Sequence, residues 1–162
     1  VENTKPYSQI KTFNLGLANV EKEETLVSND DGDIPFSFWG NGKITERVKV
    51  TTLDKFMEEN KIEHVDLFKI DTEGAEYVIL PSQGFFNVAP KIDYIIGESH
   101  CIYTDRLIPD FIPLILKDAG FETHFLPMTN MFLEMEFENG LETKKYRVDK
   151  KTLFFAKRKD LK

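Results

Sequence analysis

The sequence contains very little cysteine: Cys101 is the only one among 162 residues, so no disulfide can form within the chain. A lone thiol suits a reducing compartment, and we expect a cytoplasmic protein. Long apolar runs are also absent. None approaches the roughly 20 residues that a helix needs to cross a bilayer, and the first residues show no signal-peptide pattern. We therefore expect no membrane partner.

Positive charge is scarce as well. Lysine and arginine number 21 against 28 acidic residues, which gives a formal net charge of -7. Chains that bind phosphate backbones non-specifically carry an excess of positive charge, so the composition argues against a nucleic-acid partner. The length of 162 residues suits one domain with one core. Because the chain begins with Val1 rather than methionine, we expect residues 1–162 to be part of a domain.

Strand and helix patterns alternate along the chain. The apolar patterns predict strands at residues 10–19, 46–53, 64–71 and 91–100, and helices at residues 54–61, 72–80 and 109–120. Turn signals within residues 23–42 predict a small β insert. The last third predicts antiparallel strands, with a hairpin turn at Asn139 and Gly140 between residues 131–137 and 152–158. Such alternation is typical of an α/β fold with a mostly parallel sheet.

Side-chain patterns indicate how these elements are buried and capped. Residues 64–71 carry apolar side chains on both faces, which is typical of a central strand that is covered from both sides. Thr51 and Asp54 resemble a capping pair at the start of the helix 54–61. In the helix 72–80, the predicted buried stripe comprises Ala75, Val78 and Ile79.

Polar side chains end two of the predicted strands. One strand ends with Lys69 and Asp71, and the other ends with Glu98 and His100. Ligands of an open α/β sheet bind beyond the carboxyl ends of its strands, and alternate residues of a strand share a face. If the two strands are neighbours, two carboxylates, an imidazole and an amine converge on one crevice. This set suits proton abstraction from a hydroxyl. Its oxygen atoms could also bind a divalent cation, but the sequence assigns no metal ligand.

Structural roles explain several of these charges equally well. Asp71 and Glu73 lie where a helix is predicted to begin, and acidic side chains there cap free N–H groups, which is worth about 0.5–2 kcal/mol. Glu76 lies one turn further on and could simply face solvent. Lys69, inside a strand predicted to be buried, needs a partner. Asp71 and Glu98 are the candidates, and either pairing could be purely structural.

Three motifs follow one another in a fixed order: Thr52-Leu53-Asp54, then Lys69-Ile70-Asp71-Thr72-Glu73-Gly74-Ala75-Glu76, then Glu98-Ser99-His100. Together they resemble the FkbM family of S-adenosylmethionine-dependent methyltransferases. Residues 13–19 are similar to the strand and loop that precede the family's β insert, so the resemblance covers residues 10–100. It implies an α/β fold with a Rossmann-like class I methyltransferase sheet, a small β insert and antiparallel C-terminal strands.

The resemblance also implies a reaction. A methyl group passes from S-adenosylmethionine to a hydroxyl of a sugar or small natural product, so the expected partner is a small-molecule or glycan acceptor. His100 is then the first candidate for the base, while Glu98 orients it or is the base itself. Asp71 is expected nearest the sulfonium and the acceptor. The supporting shell comprises Lys69, Glu73 and Glu76.

Part of the cofactor cradle implied by the resemblance has no counterpart in these residues. Gly16 and Leu17, together with Asp71, are the expected cofactor-binding residues, the first two at the adenine edge. However, no Gly-x-Gly-x-x-Gly motif occurs, and the glycines at 40 and 42 lie inside the predicted β insert. We therefore expect a sheet that is incomplete at its N-terminus. The alternative function is a non-catalytic methyltransferase-like remnant that serves as a binding or interaction domain.

Overall fold

The computed structural model describes residues 7–28, 44–100, 111–127, 137–138, 141–142 and 151–161, which form a mixed α/β structure. Its strands are β1 (Gly16–Leu17), β2 (Lys22–Ser28), β3 (Ile44–Thr51), β4 (Val65–Ile70), β5 (Ile92–His100), β6 (Phe121–Pro127), β7 (Phe137–Glu138), β8 (Leu141–Glu142) and β9 (Lys151–Arg158). Its helices are α1 (Leu53–Glu59), α2 (Glu76–Ile79), α3 (Gln83–Val88) and α4 (Phe111–Asp118), with a 3-10 turn at Ala89–Lys91. Within these ranges no helix is long and apolar enough to span a bilayer.

The main sheet has four strands in the order β4-β5-β9-β6. β4 and β5 are adjacent and parallel, as predicted, with Lys69 opposite Ile96 and Ile70 opposite Gly97. β9 is antiparallel to both β5 and β6 and lies between them, although it comes last in the chain. The carboxyl ends of β4 and β5 therefore lie at the same edge of the sheet.

The prediction that β4 is a central strand covered from both sides is wrong for the described part of the chain. β4 is an edge strand of this sheet. On one face, Leu67 is 52% exposed and Leu153 and Phe155 are each 40% exposed. Apolar side chains on both faces of a strand permit burial on both, but burial also requires an element that packs on each face. Ile70 lies on the covered face and is 2% exposed, as expected of a core residue.

One hydrophobic core joins the covered face of the sheet to the helices. It contains side chains from β4, β5 and β9 together with residues of α1, α3 and α4. The helix predicted at residues 109–120 is present as α4. Gly120, with φ of 94°, follows it in the left-handed conformation that favours glycine. α3 was not predicted; the Ser82 side chain caps it by accepting the backbone N–H of Phe85 at 3.1 Å.

Gly97 allows three strands to pack closely. A Cβ atom built at this position would lie 2.5 Å from the carbonyl oxygen of Ile70 and 2.5 Å from Cζ of Phe154. Real Cβ atoms essentially never make contacts shorter than 3.0 Å, so no larger side chain fits without moving β4 or β9. The relative positions of Asp71 and Glu98 therefore depend on this glycine.

A second sheet has the order β1-β3-β2, with β1 parallel and β2 antiparallel to β3. The strand predicted at residues 10–19 is reduced to the two residues of β1. The preceding Phe13 instead contacts Phe56 of α1 edge-to-face, with ring centroids 5.0 Å apart. The cap of α1 is also corrected. Its N-cap is Thr52, whose hydroxyl donates to Asp54, whereas the buried Thr51 hydroxyl has no hydrogen-bond partner within the described part of the chain.

The hairpin predicted around Asn139 and Gly140 has different strands from those expected. β7 pairs antiparallel with β8 on either side of these two residues, which themselves lie outside the described residues. The segment expected to complete the hairpin, residues 152–158, instead forms β9 of the main sheet. A turn signal in the sequence predicts that the chain reverses locally. It does not predict which strands a later segment such as β9 pairs with. Residues 29–42 of the predicted β insert and residues 131–136 of the strand expected before the turn lie outside the described residues.

Candidate active site

The ends of β4 and β5 bring together the charged residues that the sequence singles out. Nε2 of His100 lies 3.9 Å from Oδ1 of Asp71, 3.5 Å from Oε2 of Glu73 and 3.7 Å from Oε1 of Glu98. Its other ring nitrogen, Nδ1, lies 3.2 Å from Oε1 of Glu76. One imidazole is thus surrounded by four carboxylates at the edge of the sheet where ligands of α/β proteins bind.

Glu76 is the anchor of this cluster and does not face solvent, which corrects the simpler of its two predicted roles. Its side chain is fully buried. Oε1 accepts the backbone N–H of Thr72 at 2.6 Å and the Thr72 hydroxyl at 2.9 Å. Oε2 accepts the backbone N–H of Gly74 at 2.9 Å. Because a carboxylate can only accept, the bond to His100 requires the hydrogen on Nδ1. A buried carboxylate is tolerated here because donors surround it.

The turn that carries Glu73 has an unusual backbone. Glu73 has φ of 50° and Gly74 has φ of 107°. A non-glycine residue in the left-handed region costs of the order of 1 kcal/mol or more, and such residues cluster at functional sites. The helix α2 begins only at Glu76, with Ala75 as its N-cap and no side-chain cap. The prediction that Asp71 and Glu73 cap a helix over residues 72–80 is therefore wrong.

His100 is more buried than its position at a strand end suggests, since only 8% of its surface is exposed. Burial lowers its pKa. Two effects raise the pKa: the hydrogen bond to Glu76, and the negative charges of Glu76, Glu73 and Glu98. Together they exceed the effect of burial, so the pKa of His100 is raised overall. The surroundings of this ring thus favour positive charge.

The pKa of the buried Glu76 carboxyl is shifted in the opposite direction to that of His100. Burial raises its pKa, but hydrogen bonds from His100 and from the backbone and hydroxyl of Thr72, together with the charge of His100, lower it overall. Glu76 is therefore an ionised group that its hydrogen bonds hold in place.

Lys69 has the partner that the sequence predicts, but for a different reason. Its ammonium lies 3.0 Å from Oδ2 of Asp71, and 65% of its side chain is exposed because it lies on the uncovered face of the sheet, as Leu67 does. The prediction that Lys69 is buried is therefore wrong. Asp71 contacts Lys69 through one carboxylate oxygen and faces His100 through the other.

An open pocket of about 250 Å³ lies beside the cluster. Its lining comprises Lys69, Asp71, Ile96, Gly97, Glu98, Leu153 and Phe154. Asp71 and Glu98 reach the pocket, whereas His100 and Glu73 are not part of the lining. The contribution of Leu153 and Phe154 was missed from the sequence, because no local signal shows that β9 lies beside β5.

Gly16 and Leu17 form β1 of the second sheet, opposite Val50 and Thr51 of β3. A Cβ atom at position 16 would lie 3.0 Å from Cγ1 of Val50, so strand packing already explains a glycine there. Leu17 packs against the hydrophobic core. The cofactor contacts expected for these two residues stay a prediction.

A comparison with protein families identifies the family. A family model described as the methyltransferase FkbM domain matches residues 3–123, and the chain therefore belongs to the FkbM methyltransferase family. No curated protein and no solved structure matches the chain.

Proposed function

We propose that this chain belongs to an S-adenosylmethionine-dependent O-methyltransferase that acts on a hydroxyl of a sugar or small natural product. The observation that carries the proposal is the cluster at the ends of β4 and β5, where three carboxylates lie 3.5–3.9 Å from one imidazole nitrogen beside an open pocket. Methyl transfer to a hydroxyl requires alignment of two reactants and removal of one proton.

The charge of the cluster fits the cofactor that the family implies. S-adenosylmethionine supplies an electrophilic methyl group on a positively charged sulfur when it is bound. Asp71 is the residue we assign to that charged end, because it lines the pocket at the end of β4. Gly16 and Leu17 are assigned to the adenine edge, as the family resemblance implies.

The acceptor hydroxyl is assigned to the pocket, against Asp71 and Glu98. Glu98 lines the pocket and 18% of its side chain is exposed, whereas His100 is nearly enclosed behind it. We therefore assign the proton transfer to Glu98, the second of the two candidates from the sequence. The acceptor oxygen bonds to the methyl carbon as the carbon–sulfur bond breaks, and the hydroxyl proton passes to the Glu98 carboxylate.

The architecture supports a Rossmann-like methyltransferase sheet. β4 and β5 are parallel, and the closing strands β6 and β9 are antiparallel, as the resemblance implies. We further propose that residues 1–162 form one partial methyltransferase domain and that the protein is cytoplasmic, as the single cysteine favours. A small-molecule or glycan acceptor remains the proposed partner.

The test is transfer of a labelled methyl group from S-adenosylmethionine to a panel of sugar and small natural-product hydroxyls by the full-length protein. Loss of a positioned base lowers turnover by about 10²–10⁴-fold. We expect Glu98→Gln to show this loss with little change in thermal stability. The matched control is Asp66→Asn, because the Asp66 side chain is 96% exposed near the start of β4, away from the cluster.

Three outcomes contradict the proposal in different ways. Full turnover in Glu98→Gln with loss in His100→Ala moves the base to His100. Transfer to nitrogen or carbon acceptors but to no hydroxyl excludes O-methylation. Absence of any transfer, with glycan or protein binding retained, favours the non-catalytic remnant.

A further inference from the structure

The geometry points to a divalent metal site formed by Asp71, Glu73 and His100. One carboxylate oxygen of each acid and one ring nitrogen of the histidine all lie within 4.8 Å of one another. The site is part of the cluster described above, but ion binding does not depend on methyl transfer.

The unpartnered nitrogen of His100 is the first argument. Nε2 is buried and has no hydrogen-bond partner among the residues that the structure describes, although it lies 3.5, 3.7 and 3.9 Å from carboxylate oxygens of Glu73, Glu98 and Asp71. With the hydrogen on Nδ1, Nε2 of the neutral ring presents a lone pair toward these oxygens. Lone pairs that face each other repel, so a positive charge is needed between them.

Distances decide between a proton and a metal ion. A proton on Nε2 would form a hydrogen bond, for which nitrogen–oxygen distances are about 2.7–3.2 Å. Ligand atoms that lie about 2.1 Å from one ion are about 3.0 Å apart at a right angle and about 3.4 Å apart at the tetrahedral angle. The observed 3.5 and 3.9 Å exceed hydrogen-bond range, and they are about 0.1 and about 0.5 Å longer than the tetrahedral separation around an ion.

The hydrogen bonds around His100 resemble those that orient the ligands of known kinds of metal site. A histidine that binds a metal commonly donates its other ring N–H to a carboxylate, which fixes the ring. Glu76 fills this role at 3.2 Å from Nδ1, and Thr72 and Gly74 hold Glu76 in turn. The left-handed backbone at Glu73 directs that residue out of the turn toward the same histidine.

The donor set indicates the kind of ion. One imidazole nitrogen with carboxylate oxygens suits Mn²⁺ or Zn²⁺ better than Mg²⁺, which prefers an all-oxygen shell. The ion would lie next to Asp71, which also lines the pocket, and there it would polarise an acceptor hydroxyl and ease loss of its proton to Glu98. This last step rests on the proposed function.

The experiment is calorimetric titration of the full-length protein, stripped of metal by chelation, with Mn²⁺ and Zn²⁺ and with Mg²⁺ as comparison. We expect one equivalent of Mn²⁺ or Zn²⁺ to bind, at least about tenfold more tightly than Mg²⁺. His100→Ala and Glu73→Gln should each weaken binding by about 10–100-fold or more. Glu73 is partly exposed, so its variant keeps the test valid if His100→Ala fails to fold, as judged by circular dichroism.

A second histidine-and-acid cluster supplies the matched control. His64, Asp66 and Asp93 also lie within metal-binding distance of one another, but Arg158 already lies 3.4 Å from Asp93. We expect His64→Ala to bind the ions as the unaltered protein does.

The inference is overturned if neither ion binds, or if binding survives in Glu73→Gln and is lost in His64→Ala. Methyl transfer is measured on the same samples: transfer without ion binding overturns only the metal site, and ion binding without transfer overturns only the proposed function.

Discussion

Replacing Glu76 by glutamine tests how far the fold depends on one buried carboxylate. Three of its four contacts involve Oε1, namely those with the Thr72 N–H, the Thr72 hydroxyl and Nδ1 of His100. A glutamine that places its oxygen at this position keeps all three. Its amide nitrogen then replaces Oε2 and meets the backbone N–H of Gly74, which had donated at 2.9 Å.

The magnitude follows from that single mismatch. A buried donor without an acceptor costs about 1–3 kcal/mol, and the neutral amide also loses the charge interaction with His100, so we expect Glu76→Gln to lower the free energy of unfolding by at least this amount. Glu76→Leu removes all four contacts, including a charge-assisted bond to the histidine, and should be substantially more destabilising. The two variants therefore form a graded pair that separates loss of one acceptor from loss of the whole anchor.

The assay is urea unfolding followed by circular dichroism. Glu58→Gln is the matched control, because Glu58 lies exposed on α1 and its replacement should change stability by less than about 0.5 kcal/mol. If Glu76→Gln is as stable as the Glu58 control, the carboxylate does not bind the turn over residues 72–74 as described, and the positioning of His100 has to be explained otherwise.

Three further predictions concern the fold that holds the site. Gly97→Ala should cost about 1–3 kcal/mol or more in urea unfolding, because its Cβ would lie 2.5 Å from the carbonyl oxygen of Ile70; a cost below 0.5 kcal/mol would contradict this packing. Hydrogen bonds, chiefly from the Thr52 hydroxyl and then from Asn87, hold the pKa of Asp54 below its usual value, so its stabilisation is complete at neutral pH and is lost as the pH falls below about 4. The stability difference between the unaltered protein and Asp54→Asn should therefore shrink over that range, and a constant difference would refute the linkage. Ser82→Ala should lower stability by about 0.5–2 kcal/mol in the same unfolding assay through loss of the α3 cap, and Ser82→Asn should restore part of it.

Elements whose pattern is local were predictable from the sequence. The apolar alternation of β3, the helix α4 and its stop at Gly120 depend on side chains within one element and its neighbouring residues. The parallel pairing of β4 and β5 also followed, because a helical segment separates them and such connections join parallel strands.

The site could be predicted as a set of residues but not as an arrangement. The order of charges in residues 69–76 and 98–100 indicated a shared site before any geometry was known. Sequence reasoning left Glu76 open to a solvent-facing role, and it did not show that His100 is buried. Burial of a charged side chain depends on the donors that reach it, and here those donors lie in a left-handed turn that no propensity predicts.

The sequence by itself determined the family, the α/β class and the residues that converge at the ends of β4 and β5, because motif order and apolar periodicity are properties of the chain. Only the tertiary structure decided that β9 lies between β5 and β6, that β4 lies at an edge, and that Glu76 anchors the imidazole. These features arise from contacts between residues far apart in the chain. Their free energy depends on which surfaces meet, and local patterns do not specify that.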